Sequence, residues 1–238
     1  MWISTILGDT QNINKGLIYE VTTSENPVNI SGIFLTHAHF GHYTGLAHLG
    51  LEVMGANKIP VYAMPRMMNF LTDNGPWSQL VTKENIIIES LQDGVIININ
   101  DKIKITPFLV PHRDEYSETV GFNISGPNKS VLFIPDIDKW DLWKKDIVAE
   151  VERNDYLFLD GTFFDGTELP GRNMSQIPHP FVVESMQLFA NLSIEEKQKI
   201  HFIHFNHTNP MYQSGSNARK VLNNAGFQVA KQGQIINL

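Results

Sequence analysis

Residues 36–42 read Thr-His-Ala-His-Phe-Gly-His and place three imidazoles within six positions, directly after the apolar residues 33–35 (Ile-Phe-Leu). An apolar run of that kind predicts a buried strand, so the histidines fall at a strand-to-loop junction. His37 and His39 are two residues apart and share one side of an extended backbone. Neutral imidazole is a common ligand of Zn, Fe, Cu or Ni. The ordinary alternative is a polar loop that happens to carry histidines, but the motif favours a metal site.

Composition narrows the class of protein. The 238 residues, 42% of them hydrophobic, suit one large domain or two small ones. The net charge of −7 argues against a general nucleic-acid binder. Because the chain contains no Cys, any metal must be held by His and carboxylate side chains.

The sequence also predicts where the protein is located and what it binds. No signal peptide and no membrane-length apolar run is visible, so we expect a cytoplasmic protein, or a periplasmic one if the N-terminus is truncated. We expect a small-molecule substrate, no membrane association and no general nucleic-acid binding. Homodimerisation is left open.

Strand-like segments dominate the first two thirds of the chain, with helices interleaved. Strands are predicted at 3–7, 16–21, 32–35, 60–63, 85–89, 95–99, 103–110, 119–124, 131–134, 156–159, 200–204, 228–230 and 235–237, and helices at 44–51, 64–72, 139–153, 181–191 and 214–224. The pattern favours one domain over 1–238, with sheets covered by helices. Residues 161–180 are rich in Gly and Pro, and a loop of that length predicts an ordered lid or active-site loop.

Further candidate ligands come directly after apolar strands. His112, Asp136, Asp160 and His204 each end or follow such a run, so we expect them to converge on one sheet edge. Each also has an ordinary structural explanation, because Asp often starts a turn and a lone His is often a hydrogen-bonded core residue. Their recurrence together with the histidine motif favours a shared metal site.

The order of these residues resembles the metallo-β-lactamase-fold hydrolases. The segments 36–46 (THAHFGHYTGL) and 204–210 (HFNHTNP) are most similar to proteins related to pyrroloquinoline quinone biosynthesis protein B. The resemblance implies an α/β (α+β) chain folded as a four-layer αββα sandwich, with metals at one edge of the two sheets. The first histidine comes early in the chain, so an opening strand is expected to be absent or the chain to be a fragment.

The resemblance also implies roles for individual residues. His37, His39 and His112 would hold a first metal, Asp136 would bridge two metals, and His42 with His204 would help to hold the second; His207 is a weaker candidate for the last ligand. Asp160 and His179 match a stretch from which the phosphodiesterase branch draws lid and substrate-contacting groups. His179 is therefore a candidate general acid, with packing as the alternative. The expected cofactor is Zn, as one or two ions, with Fe or Mn as alternatives.

One position departs from the superfamily pattern His-x-His-x-Asp-His. Gly41 stands where that pattern has Asp, which normally binds the second metal and helps to position the attacking water. The second metal site is therefore expected to be weak, vacant or helped by Asp160.

Three functions remain open at this level. In the favoured one, a metal-bound hydroxide attacks a small ester, phosphodiester or lactone, while Asp136 holds the water and His179 protonates the leaving group. The second is a non-haem iron oxygenase or oxidoreductase related to quinone cofactor biosynthesis. The third is a non-catalytic metal-binding domain, in which loss of the Asp at position 41 has removed the chemistry.

Overall fold

The computed structural model describes residues 6–8 and 30–238, which form two compact units. Unit 1 contains the described residues up to Asp93 together with 114–118, and unit 2 contains 94–113 and 119–238. The strand predicted at 16–21 and most of the one at 3–7 lie outside the described residues. The prediction of one domain over 1–238 remains a prediction.

Unit 1 is built on a four-stranded sheet. Its strands are β1 (Ile6–Gly8), β2 (Ile30–Phe34), β3 (Ile59–Ala63) and β4 (Ile86–Ser90), and its helices are α1 (Phe40–Tyr43), α2 (Pro65–Asp73) and α3 (Trp77–Thr82), with a 3-10 turn over Thr44–Leu49. The order is β1-β2-β3-β4; β1 is antiparallel to β2 and the other pairs are parallel. Helix α2 begins with a proline, which suits the first helical position, and buries Met67 and Leu71 on one face.

Unit 2 is built on a seven-stranded mixed sheet. Its strands are β5 (Ile97–Asn98), β6 (Lys104–Leu109), β7 (Val120–Ser125), β8 (Ser130–Ile134), β9 (Tyr156–Asp160), β10 (Ile200–Ile203) and β11 (Gln228–Val229), and its helices are α4 (Ile147–Arg153), α5 (Val182–Leu188), α6 (Ile194–Gln198) and α7 (Asn217–Asn224). The order is β11-β10-β9-β8-β7-β6-β5, with parallel pairing from β8 to β11 and antiparallel pairing from β5 to β8. Every residue of β10 is buried, as expected for a parallel strand covered on both faces.

The single helix predicted over 139–153 is wrong. A 3-10 turn covers Trp140–Leu142 and α4 starts only at Ile147, where the Asp146 carboxylate accepts from the Val148 amide at 2.9 Å. The two indoles explain the break, because Trp140 donates to Ser185 Oγ at 2.9 Å and Trp143 donates to the Leu109 carbonyl at 3.0 Å. The two side chains are buried against separate partners instead of forming one helical stripe.

Further differences concern shorter elements. Residues 235–237 form no strand, the helix predicted at 44–51 is a 3-10 turn over Thr44–Leu49, and α1, α3 and α6 were not predicted. Among residues 30–238, no helix combines the length and apolar character needed to cross a membrane.

Candidate metal centre

In unit 1, the three histidines of the 36–42 motif lie together immediately after β2. His37 and His42 are buried, and His37 Nε2 is 3.0 Å from His39 Nδ1 with the two rings nearly perpendicular at 82°. The ring centroids of His37 and His42 are 4.2 Å apart. The motif therefore brings imidazole nitrogens to one place, as the sequence predicted.

Residues 114–118, which follow β6 in sequence, hold this histidine loop within unit 1. Ser117 Oγ accepts from the Ala38 amide at 2.8 Å, and Glu115 Oε2 is 3.1 Å from His39 Nε2. When the Glu115 carboxylate accepts from Nε2–H, the Nδ1 atom of His39 is left as the ligand atom beside His37. The contact between Glu115 and His39 was not predicted, because 76 positions separate the two residues.

In unit 2, the predicted ligands lie at the ends of four strands. Asp160 is the last residue of β9, while His112, Asp136 and His204 follow β6, β8 and β10. Strands β8, β9 and β10 are parallel neighbours, and β6 runs in the same direction because β7 is antiparallel to both β6 and β8. All four residues therefore lie at the same edge of this sheet, as expected.

Asp136 is the centre of this cluster. It is buried, and its Oδ1 lies 3.9 Å from His112 Nε2 and 3.3 Å from His179 Nδ1, while Oδ2 lies 3.5 Å from His204 Nε2. His204 has φ of 62°, in the left-handed region that non-glycine residues rarely adopt. Such strain is concentrated at functional sites, and here it occurs at a candidate ligand.

Asp160 anchors His179 through Nδ1, the same ring nitrogen that faces Asp136. The Asp160 carboxylate is fully buried; Oδ2 lies 2.7 Å from His179 Nδ1 and accepts from the Ile137 amide at 3.2 Å. Burial lowers the pKa of His179, but the charge and hydrogen bond of Asp160 and the charge of Asp136 together raise it above its ordinary value. The cluster therefore favours the protonated imidazole.

Thr162 completes the network and was not predicted. Its backbone N–H and hydroxyl both donate to Asp160 Oδ1, at 2.9 and 2.6 Å. The hydroxyl oxygen of Thr162 also lies 2.8 Å from His204 Nδ1. The sequence repeats this arrangement nearby, where Thr167 donates through its amide and hydroxyl to Asp165 Oδ1 at 2.8 and 2.6 Å.

Comparison with known proteins establishes the family. The model of a family described as beta-lactamase superfamily domain matches residues 11–204 of this chain. The chain belongs to the beta-lactamase superfamily. Within it, coenzyme PQQ synthesis protein B of Gluconobacter oxydans is 29% identical, over 88% of this chain and 73% of that protein. The same-named protein of Ruegeria pomeroyi is also 29% identical, but over 49% of this chain and 40% of its own length.

Solved structures agree with this assignment of fold. Zinc-bound PqqB from Methylobacterium extorquens has a TM-score of 0.75 at 20% identity and covers 96% of this chain and 80% of its own. A diphosphatase from the PhnP family has a TM-score of 0.58 at 20% identity, over 88% of this chain and 72% of the diphosphatase chain. The predicted resemblance and the predicted α/β metallo-β-lactamase fold are confirmed. The roles of individual site residues remain predictions.

The donor groups of this superfamily member suit a divalent metal ion. Imidazole nitrogen and carboxylate oxygen bind Zn at about 2.0–2.2 Å, so two ligands of a tetrahedral ion lie roughly 3.4 Å apart. The nitrogens of His37 and His39 are 3.0 Å apart, and the Asp136 oxygens are 3.5 and 3.9 Å from the nearest nitrogens of His204 and His112. The separation of roughly 3.4 Å expected for two ligands of one ion lies within the range of these measured distances.

A cavity of about 450 Å³ opens beside His39 within unit 1. Its walls are mainly aromatic, formed by Phe40, Tyr43, Phe70, Trp77 and Tyr116. Phe40 and Tyr116 are 78% and 63% exposed and lie at the mouth, whereas Tyr43 and Trp77 are buried. The volume lies in the usual range of small-molecule sites.

The loop predicted over 161–180 is ordered by its own small core. Phe163, Met174 and Ile177 pack with Phe181 in a buried cluster, and His179 is buried beside it. The function of this loop as a lid remains a prediction.

Proposed function

We propose that this chain is a metal-dependent hydrolase that cleaves a small ester, phosphodiester or lactone. The observation that carries the proposal is Asp136, a buried carboxylate at a sheet edge that faces the imidazoles of His112, His179 and His204. Membership of the beta-lactamase superfamily supports it, as does the similarity in fold to a diphosphatase.

The proposed ligands are those that the resemblance implies. By that resemblance, His37, His39 and His112 would hold a first ion, His42 and His204 would help to hold a second, and Asp136 would be a ligand of both. Zinc is the proposed metal, with iron or manganese as alternatives; the PqqB structure from Methylobacterium extorquens is zinc-bound. When bound, a divalent ion would lower the pKa of a coordinated water and polarise the carbonyl or phosphoryl oxygen of the substrate.

Two side chains of unit 2 would act on the attacking water and the leaving group. Asp136 accepts a hydrogen bond from the attacking water and holds it in place. His179 donates a proton to the leaving-group oxygen from Nε2, because Asp160 holds its Nδ1–H at 2.7 Å and fixes the ring. The cavity beside His39 is the proposed binding site for the non-reacting part of the substrate.

Metal content and turnover test this proposal together. The purified chain is expected to contain about one equivalent or more of metal and to hydrolyse at least one member of a panel of esters, phosphodiesters and lactones in the presence of Zn. Less than about half an equivalent of metal, with the histidines intact, would refute the metal site. His112→Ala should lose both metal and turnover, whereas His48→Ala, outside the proposed ligand set, should keep both.

A second candidate function is oxidative. The similarity to coenzyme PQQ synthesis protein B favours it, because sites of His and carboxylate ligands also bind Fe(II) and activate oxygen. Oxygen uptake that requires iron, without hydrolysis of any panel substrate in Zn, would select this function. If His37→Ala lowers the melting temperature and neither reaction occurs in the parent chain, the metal has a structural role only.

A further inference from the structure

Thr162 occupies the centre of the hydrogen-bond network that joins two candidate site histidines. The side chain is buried, with 7% of the residue exposed. Its hydroxyl oxygen lies 2.6 Å from Asp160 Oδ1, 2.8 Å from His204 Nδ1 and 3.2 Å from His179 Nδ1. A single hydroxyl group therefore contacts one carboxylate and two imidazoles.

The chemistry of these groups fixes the direction of each hydrogen bond. A threonine hydroxyl has one proton, and an ionised carboxylate only accepts, so Thr162 donates to Asp160. The remaining lone pairs of the hydroxyl oxygen can only accept, which requires the proton of His204 to be on Nδ1. His179 donates its own Nδ1–H to Asp160 Oδ2 at 2.7 Å, which is shorter than its contacts with Thr162 Oγ1 at 3.2 Å and Asp136 Oδ1 at 3.3 Å.

We propose that Thr162 is a positioning residue that holds His204 in the Nδ1–H tautomer, so that its Nε2 is the metal-binding atom. This inference rests on the proposed function. Nε2 of His204 is the atom that faces Asp136 Oδ2, at 3.5 Å, the carboxylate proposed to share the second ion. Metal-binding histidines generally donate their other ring N–H to a neighbouring group, which fixes the tautomer and the ring orientation.

The local backbone explains why threonine can do this. Its amide also donates to Asp160 Oδ1, so the residue is held at two points, and the branched side chain has a restricted χ1 angle. The left-handed backbone of His204 brings its ring to this hydroxyl. Thr167 reproduces both contacts with Asp165 and has no histidine in that motif, which makes it a matched control.

The experiment compares Thr162→Val, Thr162→Ser and Thr167→Val in the full chain. Valine keeps the shape of threonine and removes the hydroxyl, whereas serine keeps the hydroxyl. Zinc affinity, measured by competition with a chromophoric chelator, should fall roughly 10- to 100-fold in Thr162→Val. Thr162→Ser and Thr167→Val should stay within about threefold of the parent, well below that loss.

Long-range ¹H–¹⁵N NMR spectra of the metal-free chain provide a second readout. At a pH where the ring is neutral, His204 should carry its proton on Nδ1 in the parent and in Thr162→Ser. In Thr162→Val the tautomer population should move towards Nε2–H, a change that loss of packing alone would not produce.

Two results would overturn the proposal: parent-like zinc affinity in Thr162→Val, or an Nε2–H tautomer of His204 in the parent. If the parent binds no metal, the proposed function fails, and the tautomer of His204 still decides the role of Thr162. If Thr162→Val does not fold, the parent spectrum and Thr162→Ser carry the test.

Discussion

Replacing Asp160 with Asn should be among the most destabilising conservative changes at this site. The carboxylate is fully buried and accepts four hydrogen bonds: Oδ1 from the amide and hydroxyl of Thr162, and Oδ2 from the Ile137 amide and His179 Nδ1–H. Asn has the same size and leaves no cavity, but its amide nitrogen cannot accept. Whichever way the amide is oriented, two of the four donors lose their acceptor.

The expected loss follows from those two bonds. A hydrogen bond to a charged group contributes about 1.5–3 kcal/mol, so losing two predicts about 3–6 kcal/mol. That range overlaps the roughly 3–5 kcal/mol cost of removing one partner of a buried ion pair. The same change removes the charge that raises the pKa of His179, so the protonated imidazole should become less favoured.

The free energy of unfolding in urea, measured by circular dichroism with excess chelator, checks this magnitude. Asp165→Asn is the matched control, because Asp165 makes the same two contacts with Thr167 in a more exposed position. It should change stability by less than about 0.5 kcal/mol, as surface substitutions usually do. A loss below about 1 kcal/mol for Asp160→Asn, or equal losses for the two variants, would refute the reasoning.

Three further predictions concern the metal, the pH dependence and the cavity. A Cβ at Gly41 would meet no atom within 4 Å, so Gly41→Asp should fold normally. The variant should raise metal occupancy towards two ions per chain, measured by elemental analysis, and unchanged occupancy would contradict the role that the superfamily pattern gives to this position. Burial lowers the pKa of His201 from its ordinary 6.5, so the unfolded chain binds more protons and stability falls as the pH drops below about 6.5. His201→Phe should therefore reduce the pH dependence of the unfolding free energy between pH 7 and 5, by up to about 1.4 kcal/mol per pH unit where the titration is steepest. If the unfolding free energies of parent and variant run parallel over this pH range, His201 does not make this contribution. Phe40→Ala, at the mouth of the cavity beside His39, should raise KM more than it lowers kcat, whereas Tyr212→Ala, which is also exposed, should change neither.

The positions of the candidate ligands could be predicted because strand ends can be recognised in the sequence. Apolar runs before His112, Asp136 and His204 indicate strands, and strands that run in one direction bring their carboxyl ends to one edge of a sheet. The histidines of the motif at 36–42 are neighbours in sequence, so their proximity can be predicted without knowing the direction of any strand. These inferences depend on local pattern and strand direction alone.

The groups that orient those ligands could not be predicted in the same way. Thr162 reaches His204 across 42 positions and Glu115 reaches His39 across 76, and both contacts depend on the course of irregular loops. The helix predicted at 139–153 failed for a related reason. The spacing of its apolar residues is helical, but the hydrogen bonds of the two indoles lie on separate elements and no periodicity reveals them.

The two buried carboxylates of unit 2 differ in a way that bears on the missing Asp at position 41. A carboxylate offers about four acceptor sites, and Asp160 uses four on the donors of Thr162, Ile137 and His179. A metal ion could bind Asp160 only by displacing those donors, although the nearest ligand atoms of Asp136, Asp160 and His179 lie within 4.8 Å of one another. Asp136 instead faces the nitrogens of His204 and His112 at 3.5 and 3.9 Å, a spacing that suits ligands of one ion. We therefore propose that Asp160 anchors His179 and that Asp136 is the ligand, and we expect that Asp160 does not replace the carboxylate absent at Gly41.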